Sequence, residues 1–115
     1  MDISLQNKII AELKNLIDES CNTQEIGSSH FESFHRAIIK KYFEAESVTI
    51  DRENHNILLE ICTDKTTKET TCIDVDVDFK NFNEFLKSCI DDNHTSMRFY
   101  QNMLRYYHVV EPISA

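Results

Sequence analysis

The sequence predicts an α+β, two-layer domain in which a three-stranded antiparallel meander is covered by an N-terminal and a C-terminal helix pair. Three observations carry this expectation. Apolar residues recur every three or four positions over 3–17 and again over 31–43. The period switches to two between Val48 and Phe79, and helical spacing returns from Phe82 onward. The order is helix, helix, three strands, helix, helix, and 1–115 reads as a single compact domain, since a chain of this length holds one core.

The first helix is expected near 3–19, with Leu5, Ile9, Ile10, Leu13, Leu16 and Ile17 on one face, Lys8, Glu12 and Asn15 outside, and Asp2 as cap. A polar connection holding Gly27 follows. Ser29-x-x-Glu32 is a capping box, and Phe34, Ile38, Ile39, Tyr42 and Phe43 continue a second helix over 29–45. Strands are expected over 47–51, 56–63 and 71–79, joined by the turn-forming Asp51-Arg52-Glu53-Asn54 and by a polar loop from Thr63 to Thr70. Pairing Leu59 with Val75 keeps both apolar sets on one face. That register sets Glu60 against Asp74, Leu58 against Asp76 and Cys62 opposite Cys72. A third helix over 80–91 has Asn81 and Glu84 as its cap signal, and a fourth over 96–107 follows Thr95 or Ser96. The tail Val109-Val110-Glu111-Pro112 adds a short edge strand or packs down.

Composition narrows the function classes. The chain is 41% hydrophobic with seven Phe and four Tyr, which is enough for a core and argues against disorder. Its formal charge is -8, which disfavours direct nucleic-acid binding and adsorption to anionic membranes. No apolar run approaches the roughly 20 residues of a membrane span, and the start lacks a secretory pattern, so a cytoplasmic location is expected. Cys21, Cys62, Cys72 and Cys89 stand singly, without a zinc-type spacing, and are expected to be reduced thiols. A single Gly cannot build a phosphate-binding or dinucleotide loop, and no two His are four apart, so no cofactor and no metal is expected.

The most distinctive feature is the row Asp74, Asp76, Asp78. Strand alternation sets these carboxylates on one face at steps of about 6.6–6.8 Å, with Glu60 on the neighbouring strand. Like charges at this spacing call for a wet face, a metal or a basic partner. On the last helix, Arg98 and Tyr106 lie among Phe99, Tyr100, Arg105 and Tyr107, a mixture enriched in protein–protein hot spots. Glu60, Asp74, Asp76, Asp78, Arg98 and Tyr106 are therefore the candidate partner-binding residues, and the expected partner is a basic protein, a toxin or effector.

Two resemblances bear on function. The strand ending in Asp78-Phe79-Lys80 resembles the core motif of the PD-(D/E)xK nucleases. It implies Asp78 as a Mg²⁺ ligand, Lys80 beside the attacking water, Glu60 or Asp64 as a second acid, and Glu32 or Glu12 as a helix acid. The usual Pro-Asp turn and a basic DNA-gripping surface are absent from the chain. In size, charge and lack of a catalytic motif, the sequence looks more like small immunity or antitoxin proteins that block nuclease toxins. Anti-CRISPR-type inhibitors and acidic secretion chaperones are similar in the same respects. The expectation is a protein-binding inhibitor rather than an enzyme.

Overall fold

The computed structural model describes residues 3–22, 29–93 and 96–106. The expected Asp2 and Thr95 caps, the Gly27 connection and the 109–112 tail lie outside the described residues. The fold is α+β in the expected order: α1 (Ile3–Asn22), α2 (Ser29–Phe43), β1 (Ser47–Asp51), β2 (Asn56–Asp64), β3 (Glu69–Asp76), a short 3-10 turn (Phe79–Asn81), α3 (Phe82–Asp91) and α4 (Met97–Tyr106). The three strands form one antiparallel sheet with β2 in the middle.

Helix α1 runs three residues beyond the expected end at 19. Ser20 stands four residues after Leu16 and three after Ile17, so it continues the inward stripe and is fully buried with them. Its hydroxyl donates to the Ile17 carbonyl at 3.0 Å, which lets a polar side chain occupy a core position. Ile9, Leu13, Leu16 and Ile17 join Phe34, Ile38 and Ile39 of α2, Ile57 and Leu59 of β2, and Leu86 and Ile90 of α3 in one continuous buried cluster. Each such side chain contributes about 1.5–3 kcal/mol of transfer free energy. Helix α1 packs on α3 and α4, while α2 packs on α3 and β1. Ion pairs from Lys14 to Asp91 and from Lys87 to Asp18, both at 2.8 Å, fix α1 against α3.

Helix α2 ends at Phe43, two residues short of the expected 45. Glu44 takes a left-handed φ of 51°, and the Ala45 N–H donates back to the Lys40 carbonyl at 3.0 Å, a Schellman closure made without glycine. The two hairpins repeat one device. Asp51 accepts from the Asn54 N–H and Asn54 Nδ2, and four residues after it His55 has φ 55°. Asp64 accepts from the Thr66 and Thr67 N–H groups, and four residues after it Lys68 has φ 59°.

The second hairpin corrects the expected register. Its loop is 65–68 rather than 63–70, so β3 begins at Glu69 and ends at Asp76 instead of running 71–79. The pairs are Ile57 with Val75, Leu58 with Asp74, Leu59 with Ile73, Glu60 with Cys72 and Cys62 with Thr70. The displacement is two residues, so every side chain keeps its face while its partner changes. The cap of the helical segment after β3 also differs. The Asn81 side chain makes no capping bond; instead Asp78 accepts from the Lys80 N–H and from Asn81 Nδ2, each at 3.0 Å.

The helical cover of the sheet is incomplete. Ile57 and Leu59 of β2 are buried, but Ile73, directly beside Leu59 on the same face, is 41% exposed. The reason is placement: α2 lies against β1, and β3 is the edge strand on the far side of β2 from it.

Candidate interaction surface

The face of the sheet turned away from the helices presents three rows across β1, β2 and β3. They read Ser47–Glu60–Cys72, Thr49–Leu58–Asp74 and Asp51–Asn56–Asp76. Leu58 occupies the middle of this array and is 40% exposed, an apolar side chain left in water by the strict alternation of β2. Glu60, Asp74 and Asp76 around it are all exposed. Glu60 stands diagonal to Asp74, at a separation of roughly 7–8 Å for such neighbours, rather than opposite it.

Asp51 is a fourth acid of this face, at the end of the expected strand 47–51 but not among the candidate partner-binding residues. Hydrogen bonds from the Asn54 side chain and backbone hold its carboxyl below the usual range, so it stays ionised into mild acid. Its position was readable: it is the last residue of β1 and has the same parity as Thr49.

Asp78 leaves the row. It lies two residues beyond the end of β3, and both its oxygens are committed to the 3-10 turn. Lys80 projects from that turn and is exposed. The other acids of the nuclease resemblance are dispersed: Asp64 closes the second hairpin, Glu32 pairs with Arg36 at 2.8 Å, and Glu12 is on α1. Among the described residues, no group of three or more His, Cys, Asp or Glu is arranged to hold a metal ion. Arg98 and Tyr106 are exposed on α4, Tyr106 at 69%. Helix α4 packs on α1, so these two residues belong to a different region from the sheet array. Phe99 is half-buried, with the Lys41 ammonium 5.3 Å from its ring centre, and forms one wall of a groove of about 470 Å³ floored by Ala37 and Ala45.

A polar cluster inside the core went unread in the sequence. His35 is 1% exposed, between Phe34 and Phe82, with its Nε2 2.7 Å from Ser20 Oγ and 3.9 Å from Cys21 Sγ. With the Ser20 proton committed to Ile17, the Nε2–H of a neutral His35 donates to Ser20, and Nδ1 is left without a partner. Burial, aided by the Arg52 guanidinium, pushes the imidazole down to about 4. Arg52 covers the cluster from the first hairpin, stacked 5.1 Å from the Phe79 ring centre, above a cavity of about 30 Å³. A Ser–His contact of this length resembles a nucleophile and its base, but neither side chain reaches solvent. Here the pair satisfies buried polar atoms. The signal for it was Ser20 in phase with Leu16 and Ile17.

Among the described residues no helix is long and apolar enough to cross a membrane. No protein-family model, curated protein or solved structure matches the chain, so the reading of function rests on the sheet array and its chemistry.

Proposed function

We propose that this chain is a protein-binding module that meets a basic protein through the outer face of its sheet and blocks it, in the manner of an immunity or antitoxin protein acting on a nuclease toxin. One observation carries the reading: Leu58 stands exposed at the centre of an array whose surrounding acids are Glu60, Asp74, Asp76 and Asp51. An apolar centre within a charged rim is the anatomy of a docking patch, in which the centre is desolvated and the rim sets specificity. The four carboxylates repel one another in the free chain, and a docked cationic surface relieves that repulsion. The overall charge of -8 adds long-range attraction for the same class of partner.

The test compares the wild-type chain with the triple variant Glu60→Gln, Asp74→Asn, Asp76→Asn. Proteins captured by the immobilised wild type are purified, and their association with both chains is timed at low and moderate salt. The wild type is expected to associate at least tenfold faster at low salt and to lose that advantage as salt rises. The melting temperature of the variant is expected to equal or slightly exceed that of the wild type. Equal association rates at both salts would show an ordinary solvated sheet face.

A further inference from the structure

The outer edge of β3 is one of the two open edges of the described sheet. Val77 N–H donates to the His55 carbonyl at 3.0 Å, which makes 55 and 77 a hydrogen-bonded pair of the β2–β3 ladder. Such pairs alternate along an antiparallel ladder, so Ile73 and Val75 also bond to β2. The N–H and C=O groups of Cys72, Asp74 and Asp76 therefore point the other way, to an edge where the described residues place no further strand. Open edges are templates for pairing. On the helix side of this edge Ile73 is 41% exposed; on the other side stand the Asp74 and Asp76 carboxylates.

We propose that β3 captures an extended basic segment of the partner as a fourth, antiparallel strand, in which Lys or Arg alternates with apolar residues. This inference rests on the reading of the acidic face given above and adds the mode of recognition. Hydrogen-bonded residues of the incoming strand stand opposite Cys72, Asp74 and Asp76, so their side chains share the acidic face. Cations at two alternate positions then form cross-strand pairs with Asp74 and Asp76. The two residues that alternate with them stand opposite Ile73 and Val75 on the helix side, and the first covers Ile73 with apolar surface. Backbone bonds supply affinity and alternation supplies specificity, as in strand addition generally. A second copy of this chain is a poor occupant, because β3 against β3 sets carboxylates beside carboxylates. The same two aspartates thus repel self-pairing and attract a basic strand.

The probe is a pair of blocked peptides of identical composition, one alternating Lys with Val and Thr, the other with its lysines and apolar residues in separate blocks. Binding to the full chain is measured by titration, and amide exchange by NMR. The alternating peptide is expected to bind at least tenfold tighter and to slow exchange at Cys72, Asp74 and Asp76 at least tenfold, with Ile73 and Val75 little changed. Asp74→Pro removes one outward N–H at an edge position that tolerates proline. A variant that keeps the wild-type melting profile and loses the tenfold preference supports the proposal. Equal binding of both peptides without amide protection overturns strand capture and leaves the acidic docking face standing. Binding of neither overturns both. Protection of the three amides in the peptide-free chain also overturns the proposal, since residues 107–115 or a second copy then fill the edge.

Discussion

Acidification below pH 6.5 is expected to weaken this fold through His35 before its carboxylates are neutralised. The imidazole is buried and uncharged in the folded chain, with its pKa pushed down to about 4 from an ordinary value of 6.5. Between those two values the unfolded chain binds a proton that the folded chain does not, so stability falls as pH falls and is fully retained above about 6.5. Applying the two pKa values gives a loss of about 2 kcal/mol at pH 5 and about 3 kcal/mol at pH 4. For a chain of this size, 2 kcal/mol corresponds to roughly 8 °C in melting temperature. Carboxylates and other histidines also titrate, so the measurement must be a difference. His35→Phe keeps an aromatic ring between Phe34 and Phe82, removes the unpaired Nδ1, and leaves Ser20 bonded to Ile17. Urea unfolding of both chains at pH 7 and pH 5 is the assay. The variant is expected to gain about 2 kcal/mol on the wild type over that interval. Parallel pH profiles would refute the argument, because His35 would then be reaching water or an acidic partner.

Two further outcomes follow from burial. Tyr100 is fully buried, its hydroxyl has no hydrogen-bond partner and burial pushes it up to about 12, so Tyr100→Phe should raise stability by about 1 kcal/mol in a urea melt; a loss would reveal a partner for the hydroxyl. All four cysteines are free, and a maleimide time course on the native chain should modify exposed Cys72 first, half-buried Cys21 and Cys62 more slowly, and Cys89 only on unfolding. Cys89 is protected twice, by burial and by a thiol pushed up to about 12. Fewer than four thiols titrating in urea would mean that a pair had been bridged.

Periodicity made most of the fold legible. The change from a spacing of 3.6 to a spacing of 2 and back places all four helices and all three strands, because it reflects which side chains must leave water. What it left open are boundaries set by local hydrogen bonding. Turns are usually marked by glycine at left-handed positions, yet this chain puts Glu44, His55 and Lys68 there. Without that marker the loop after β2 read as 63–70, and the two-residue displacement of β3 followed. The buried Ser20–His35 contact was hidden for a related reason: a polar residue in phase with an apolar stripe looks like the end of a helix until its partner, fifteen residues on, is seen beside it.

The candidate surface shows the same division between pattern and placement. Alternation assigns Glu60, Asp74 and Asp76 to one face whatever the register, since any shift that keeps the apolar side inward is even. Their neighbours depend on the loop: Leu58 comes to face Asp74 only because β3 starts at Glu69. Exposure depends on something further away still. Leu59 and Ile73 are partners on the same face of the same ladder, and one is 1% exposed while the other is 41% exposed. No property of either residue accounts for that contrast. It arises because α2 sits over β1, because β2 has a strand on each side, and because β3 has only one. An unpaired backbone edge, an apolar side chain that no helix covers and a row of acids thus coincide on β3 as a consequence of helix placement. That coincidence makes β3, rather than the turn at Asp78, whose carboxylate is committed within the turn, the place where a basic strand finds acids on one face, an uncovered apolar side chain on the other and unpaired groups along the backbone.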